Sequence, residues 1–181
     1  LNLKLLGDEV ITSGFAGGHS GHLLCDKIRQ AGITTSFIFV PGLTRTNISI
    51  LDKEKETLTE INDFGKNIPS DDQDFFVENY KKLLKRVNFV VLAGSLPGGI
   101  DASFYHKLIM MARHEKKKVI LHTSPDHIDK LIDTSPFLIN PDMRSYHMVL
   151  GKPCDGINQF VDVGRHILVK SNKTEIVLFT H

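Results

Sequence analysis

Residues 89–121, FVVLAGSLPGGIDASFYHKLIMMARHEKKKVIL, decide the architecture. The run Phe89 to Leu92 is short, apolar and closed by a glycine, which is how a strand buried on both faces reads. GSLPGG (94–99) is a turn, Ala102 to His114 has helical spacing, and Val119 to Leu121 is a second short apolar strand. Two such strands joined by a helix cannot pair as a hairpin, so the segment predicts a parallel pair with a helical crossover. The same alternation continues toward the C-terminus. A helix is expected over Asp126 to Ile132, a strand over Phe137 to Ile139, and helices over Met143 to Leu150 and Ile157 to Val169. Gly151-Lys152-Pro153 breaks the last two, and Glu175 to Phe179 forms a final strand.

Toward the N-terminus, Ser70-Asp71-Asp72-Gln73 reads as a capping box opening a helix whose apolar stripe is Phe76, Tyr80, Leu83, Leu84 and Val87. Before it, Ile33 to Val40, Thr46 to Leu51 and Thr57 to Ile61 are β-rich and predict a small antiparallel meander, a β lid over 33–62. Val10 to Phe15 is a strand running into GFAGGHSG and a helix that stops at Gly32. The opening LNLKLLG reads as the last turns of an amphipathic helix, and the strand ending at Phe179 has no helix after it. Both ends therefore read as incomplete. The expectation is one α/β domain over 1–181 with a mostly parallel sheet, whose ligands bind beyond the carboxyl ends of its strands.

A length of 181 residues with 41% hydrophobic content supports a real core. Charged residues make up 24% and the formal net charge is +1, so no field of one sign draws the chain to nucleic acid or membrane. Lys116, Lys117 and Lys118 read as a solvated loop. The two cysteines, Cys25 and Cys154, form neither a CxxC motif nor a disulfide framework, which fits a reducing, cytoplasmic setting. No apolar run reaches membrane-spanning length and no leader pattern opens the chain.

Several stretches are candidates for chemistry. The backbone donors of GSLPGG and the Ser95 hydroxyl are suited to an anion at a helix start, although a plain turn reads the same way. Arg45, in GLTRTNISI, carries a planar fork that matches a phosphate, and equally suits an exposed edge strand. Gly14, Gly17, Gly18 and Gly21 do not make a G-x-G-x-x-G dinucleotide loop, but they permit close approach of a ligand or of another segment. His19, His22 and Cys25 wind around a helix instead of converging on a metal.

Taken in order, GFAGG, GLTRTNISI, TEIN, LAGSLPGGI, VILHTSP and FLINPDMRS resemble the phosphofructokinase B family of ribokinase-like sugar kinases, in the branch of 1-phosphofructokinase and tagatose-6-phosphate kinase. The resemblance implies an αβα sandwich with a β-meander lid that moves the γ-phosphoryl of ATP, with Mg2+, to a ketohexose phosphate. The alternative reading is a non-catalytic remnant that binds a sugar phosphate or pairs with a second copy through the exposed strands of its lid. The resemblance maps Arg45 and Ser95 onto the sugar's existing phosphate, with Gly17, Gly18, Asn47 and Gly94 lining the pocket. It maps Asp142, Ser145 and Thr180 onto the nucleotide and magnesium region. Asp142 and Ser145 stand where the family has N and E of N-x-x-E, and His122 stands where an aspartate is usual. The family's GAGD aspartate, its general base, falls outside this sequence, so the resemblance implies a chain that is inactive by itself.

Overall fold

A computed structural model describes residues 1–143, 148–154 and 156–180. The short helix α1 (Asn2–Leu5) leads to strand β1 (Ile11–Ala16), helix α2 (Gly18–Gln30) and strand β2 (Thr34–Phe39). Strands β1 and β2 pair in parallel, Ile11 opposite Thr34 through Ala16 opposite Phe39, with α2 as the crossover. This corrects the predicted meander. The stretch 33–40 is as β-rich as its neighbours, but a helix separates it from β1, the long crossover that a parallel pair requires. What remains of the meander is one hairpin, β3 (Ile48–Asp52) with β4 (Thr57–Ile61). Its tip is held by the Asp52 carboxylate, which accepts from the N–H groups of Glu54 and Lys55 at 3.0 and 3.1 Å. Ile48, Ile50, Leu51, Leu58 and Ile61 are all exposed on it.

Helix α3 (Ser70–Leu84) begins where the sequence predicts, by a different device. Gln73 does not close a capping box; its side-chain nitrogen donates to the Ile68 carbonyl at 2.9 Å and the Gly99 carbonyl at 3.3 Å. Its predicted stripe is largely realised, with Phe76, Tyr80 and Leu84 buried.

The described residues fall into two compact units, Leu1–Asn79 with Pro97–Gly99, and Tyr80–Leu96 with Ile100–His181, where the sequence reads as one domain. In the second unit, strands β5 (Phe89–Ala93), β6 (Lys118–Thr123), β7 (Leu138–Pro141) and β10 (Ile176–Val177) form a parallel sheet in the order β10-β7-β6-β5. Helices α4 (Ala102–His114), α5 (Pro125–Leu131) and α6 (Ile157–Ser171) supply the crossovers. Alternate strand residues point into the core: Val90 and Leu92, Val119 and Leu121, and Ile139 are buried. Ile128, Ile132, Val149, Cys154, Val163 and Ile167 close one cluster around Ile139.

The helix expected over 143–150 is a second correction. Met148–Val149 is instead strand β8, paired antiparallel with β9 (Lys152–Pro153). Leu150 at φ 52° and Gly151 at φ 69° are both left-handed, which reverses the chain in a tight hairpin and cannot continue a right-handed helix. Residues 144–147 of that prediction lie outside the described residues.

Gly164, inside α6, lets the helix lie close to the last strand; a Cβ there would stand 3.5 Å from a Phe179 ring carbon and 4.0 Å from Val177. Those are ordinary contacts, and the backbone is helical, so Gly164→Ala is expected to raise the thermal midpoint, by roughly 0.5–1 kcal/mol of helix propensity. A fall in the midpoint on thermal melting counts against this packing. No helix among the described residues is long and apolar enough to cross a membrane.

Candidate sugar-phosphate site and strand-end residues

In the first unit, β1 runs straight into the N-terminus of α2 through Gly17, and the loop 40–45 folds back over that junction. A Cβ on Gly17 would lie 2.6 Å from the Gly42 carbonyl oxygen and 2.8 Å from that of Val40, so the backbone approach excludes any side chain. Gly18, at φ +57°, likewise abuts the Leu43 side chain. The expected close approach at these glycines is thus made by another segment of the chain. Thr44 locks the junction. Its Oγ1 accepts from Gly17 N–H at 2.9 Å, its N–H donates to the Gly17 carbonyl at 2.9 Å, and its carbonyl accepts from the Ser20 hydroxyl at 2.9 Å. Arg45, the next residue, is exposed and leaves a loop held by Gly17 and Ser20 of the strand-helix junction.

The other wall is the segment after β4. Asn47 Oδ1 accepts from Asp63 N–H at 3.2 Å, which closes the base of the hairpin, and Asp63 Oδ1 accepts from Gly65 N–H at 2.9 Å. The Arg45 stem packs beside Gly65, whose added Cβ would stand 3.7 Å from Arg45 Cβ and Cδ. Gly98 and Gly99, the end of GSLPGG, lie against Asn67 and Ile68; the Ile68 N–H donates to the Gly98 carbonyl at 2.9 Å. Between these segments is a cleft of about 580 Å³ lined by Pro41, Gly42, Gly65, Lys66 and Asn67. None of these five is a residue that sequence spacing singles out. Two short loops of glycine and polar residues carry no periodicity, and only the left-handed glycines at 42 and 65 hint at loop-on-loop packing.

In the second unit the predicted residues gather at the carboxyl end of the sheet. Gly94, at φ +98°, turns the chain off β5, and its N–H donates to the His122 carbonyl at 3.2 Å. The Tyr105 hydroxyl of α4 donates toward the Ala93 and Gly94 carbonyls at 3.2 and 3.3 Å, fixing the turn that presents Ser95. Burial pushes that phenol up to about 12, so it remains a donor at neutral pH. The N-terminus of α4 does not wait for an external anion. Asp101 is its cap, accepting from the Ser103 N–H at 2.8 Å and from the Ser103 hydroxyl. The donors that GSLPGG can offer are those of the turn, not of the helix.

Those Ser103 hydrogen bonds hold the Asp101 carboxyl below its usual range, against a small opposing effect of desolvation. A depressed folded value contributes stability that is present above the unfolded value, about pH 4, and is lost as pH falls through the folded one. Asp101→Asn keeps a capping oxygen but not the titration, so its midpoint is expected to fall less steeply than wild type below about pH 4 in a series of thermal melts. Parallel acid limbs for the two proteins would remove this role.

At β7 and β10, Asp142 and Thr180 are neighbours across a parallel bridge, and the Asp142 N–H donates to the Thr123 carbonyl at 2.9 Å. The structure therefore brings together two of the three residues mapped to the nucleotide region; Ser145 lies outside the described residues. The Asn140 carboxamide, with its nitrogen toward β10, donates to the Leu178 carbonyl at 2.9 Å. His122 Nδ1 lies 3.1 Å from the Asn140 carbonyl, which can only accept, so Nδ1 is the donor of that contact. His127 Nδ1 sits 3.2 Å from Thr123 Oγ1 and 3.3 Å from Ser124 Oγ. His22 stacks on Phe39 at 4.4 Å and Cys25 is buried. Among the described residues no three His, Cys, Asp or Glu side chains are grouped to hold a metal.

A parallel α/β sheet with its polar loops at the strand ends, preceded by an exposed two-stranded hairpin, is the plan of the ribokinase-like sugar-kinase class. The chain belongs to the pfkB family of carbohydrate kinases, whose domain matches it over residues 1–181. Among solved structures it is similar to a possible 1-phosphofructokinase from Thermotoga maritima, with 29% identity and a TM-score of 0.89 over 99% of this chain and 57% of that one. It is also similar in fold to phosphofructokinase-2 from Escherichia coli in complex with fructose-6-phosphate, at 16% identity and a TM-score of 0.81, over 98% of this chain and 58% of that one. Adenosine kinase from Schistosoma mansoni shares the fold at 10% identity and a TM-score of 0.63, over 97% and 55% of the two chains. The sequence thus spans between 55% and 58% of the length of these three relatives.

Proposed function

We propose that this chain is part of an ATP-dependent kinase that converts a ketohexose phosphate, fructose 1-phosphate or tagatose 6-phosphate, to the bisphosphate, in the cytoplasm. The observation that carries the reading is the cleft beside Arg45, together with membership of a carbohydrate-kinase family. A phosphate dianion needs a charge-assisted fork and backbone donors, and the loop holding Arg45 is fixed well enough to present the fork without a large ordering cost. In this reading Arg45 takes the phosphate already on the sugar, and Ser95 and Gly94, in the second unit, are proposed as substrate-binding residues. Asn47, Gly17 and Gly18 serve by shaping the loops.

For the nucleotide, Asp142 and Thr180, neighbours at the strand ends, are assigned to the region of ATP and its magnesium without ligating the metal directly. Magnesium bound there with ATP would offset the charge of the transferring phosphates. The chain's own contribution is to hold the sugar phosphate in place and to keep the Asp142 backbone pinned to β6 by its N–H. No GAGD occurs in residues 1–181, so these residues by themselves are proposed to bind a sugar phosphate and not to turn it over. The hairpin's exposed apolar residues are proposed to pair with a second copy, edge to edge.

Titration calorimetry of the chain with fructose 1-phosphate and tagatose 6-phosphate tests the binding. Absence of saturable heat with both ligands at millimolar concentration would reject the cleft as a sugar-phosphate site, whereas saturable heat with one of them supports it. Turnover of ATP by residues 1–181 above a no-enzyme control would overturn the binding-only part.

A further inference from the structure

The cleft of the first unit is built by two loops that make room for each other's side chains. Gly42, at φ +97°, has no side chain where the Lys66 stem passes; a Cβ there would stand 3.0 Å from Lys66 Cγ. Gly65, at φ +72°, lies in ordinary contact with Arg45, its added Cβ 3.7 Å from Arg45 Cβ and Cδ. Each loop therefore sets a glycine beside the basic side chain of the other. Of the two, Lys66 is itself a lining residue. Among the described residues no carboxylate lies within ion-pair reach of its ammonium. The nearest acid in sequence, Asp63, is turned to the Gly65 N–H at 2.9 Å. A cation steered into a cleft by a glycine opposite, with no internal counter-charge, is a place for an anion that the ligand brings.

We propose that Lys66 is a second phosphate-binding cation of this cleft, its ammonium complementing the fork of Arg45 on the phosphomonoester dianion of a sugar. The assignment rests on the reading of the cleft as a sugar-phosphate site. One guanidinium meets half the charge of a dianion, and a second cation meets the rest. Lysine suits the second position because a point charge on a flexible stem adapts to a ligand whose orientation the arginine fork has already set. The charge and the stem of Lys66 have separable jobs, since the stem packs over Gly42 and the ammonium faces the ligand.

The test is calorimetry with fructose 1-phosphate at several salt concentrations, for wild type, Arg45→Ala, Lys66→Met, Lys66→Arg and Gly42→Ala. Lys66→Met keeps the apolar stem and loses the charge. It is expected to weaken binding about tenfold and to flatten the salt dependence, while Lys66→Arg stays within about threefold of wild type. Gly42→Ala keeps the lysine but displaces its stem, and is expected to shift affinity in the same direction as Lys66→Met. Wild-type affinity and salt dependence in Lys66→Met, alongside a large loss in Arg45→Ala, would overturn the Lys66 assignment and leave the cleft reading standing. Absence of binding by wild type, or no loss in Arg45→Ala, would instead remove the cleft reading and this inference with it.

Discussion

Arg45→Ala is expected to weaken fructose 1-phosphate binding by about two orders of magnitude, or about 3 kcal/mol. The loss is large because a guanidinium makes two parallel charge-assisted hydrogen bonds to a phosphate, and alanine leaves those oxygens facing a cleft with one fewer cation. Arg45→Lys is expected to recover only part of it, since an ammonium cannot reproduce the fork. The fold should be indifferent to both changes: Arg45 is exposed, and its loop is held by Thr44 through backbone and hydroxyl contacts. Calorimetry with parallel circular dichroism separates the two effects. An unchanged affinity in Arg45→Ala, or a loss of affinity that tracks a loss of secondary structure, would defeat the assignment.

The second large effect is on stability. Leu121, at the centre of β6, is fully buried, and Leu121→Ala is expected to destabilise the second unit by about 2–5 kcal/mol, the transfer loss plus the cavity left behind. Val91, on the neighbouring strand β5, points to the other face of the sheet and is 52% exposed. Val91→Ala should therefore cost less than about 1 kcal/mol, as surface changes usually do. Urea unfolding followed by far-ultraviolet circular dichroism gives both values, and similar midpoints for the two variants would mean that the burial pattern of this sheet is wrong.

The parallel order of these strands was legible in the sequence, because 89–121 holds two short apolar runs joined by a helix and cut by glycine. Their burial was not: the run Phe89 to Leu92 reads as buried on both faces, whereas Phe89 and Val91 are exposed. The other readings that failed lack such local signals. Nothing within 33–40 says which strand it pairs with; the partner is chosen by α2, which makes β2 parallel to β1. The stretch ending at Leu150 has helical spacing, yet Leu150 itself turns left-handed, a conformation that apolar spacing cannot reveal. Arg45 and Ser95 are proposed from their motifs, whereas the setting of Lys66 is not readable in the sequence, because it depends on Gly42, far away along the chain. The start of α4 looked open to an anion until Asp101 proved to fill it.

The crossed seating of the two cleft loops, 42 under 66 and 65 under 45, has a bearing on where this chain can change length. Adding or removing one residue on either side would put each glycine out of step with the side chain it accommodates, and the mismatch would be felt at two places at once. The far end of the β3–β4 hairpin carries no such obligation, since its turn is closed locally by Asp52. Insertions belong there, where a longer loop costs little beyond closure entropy.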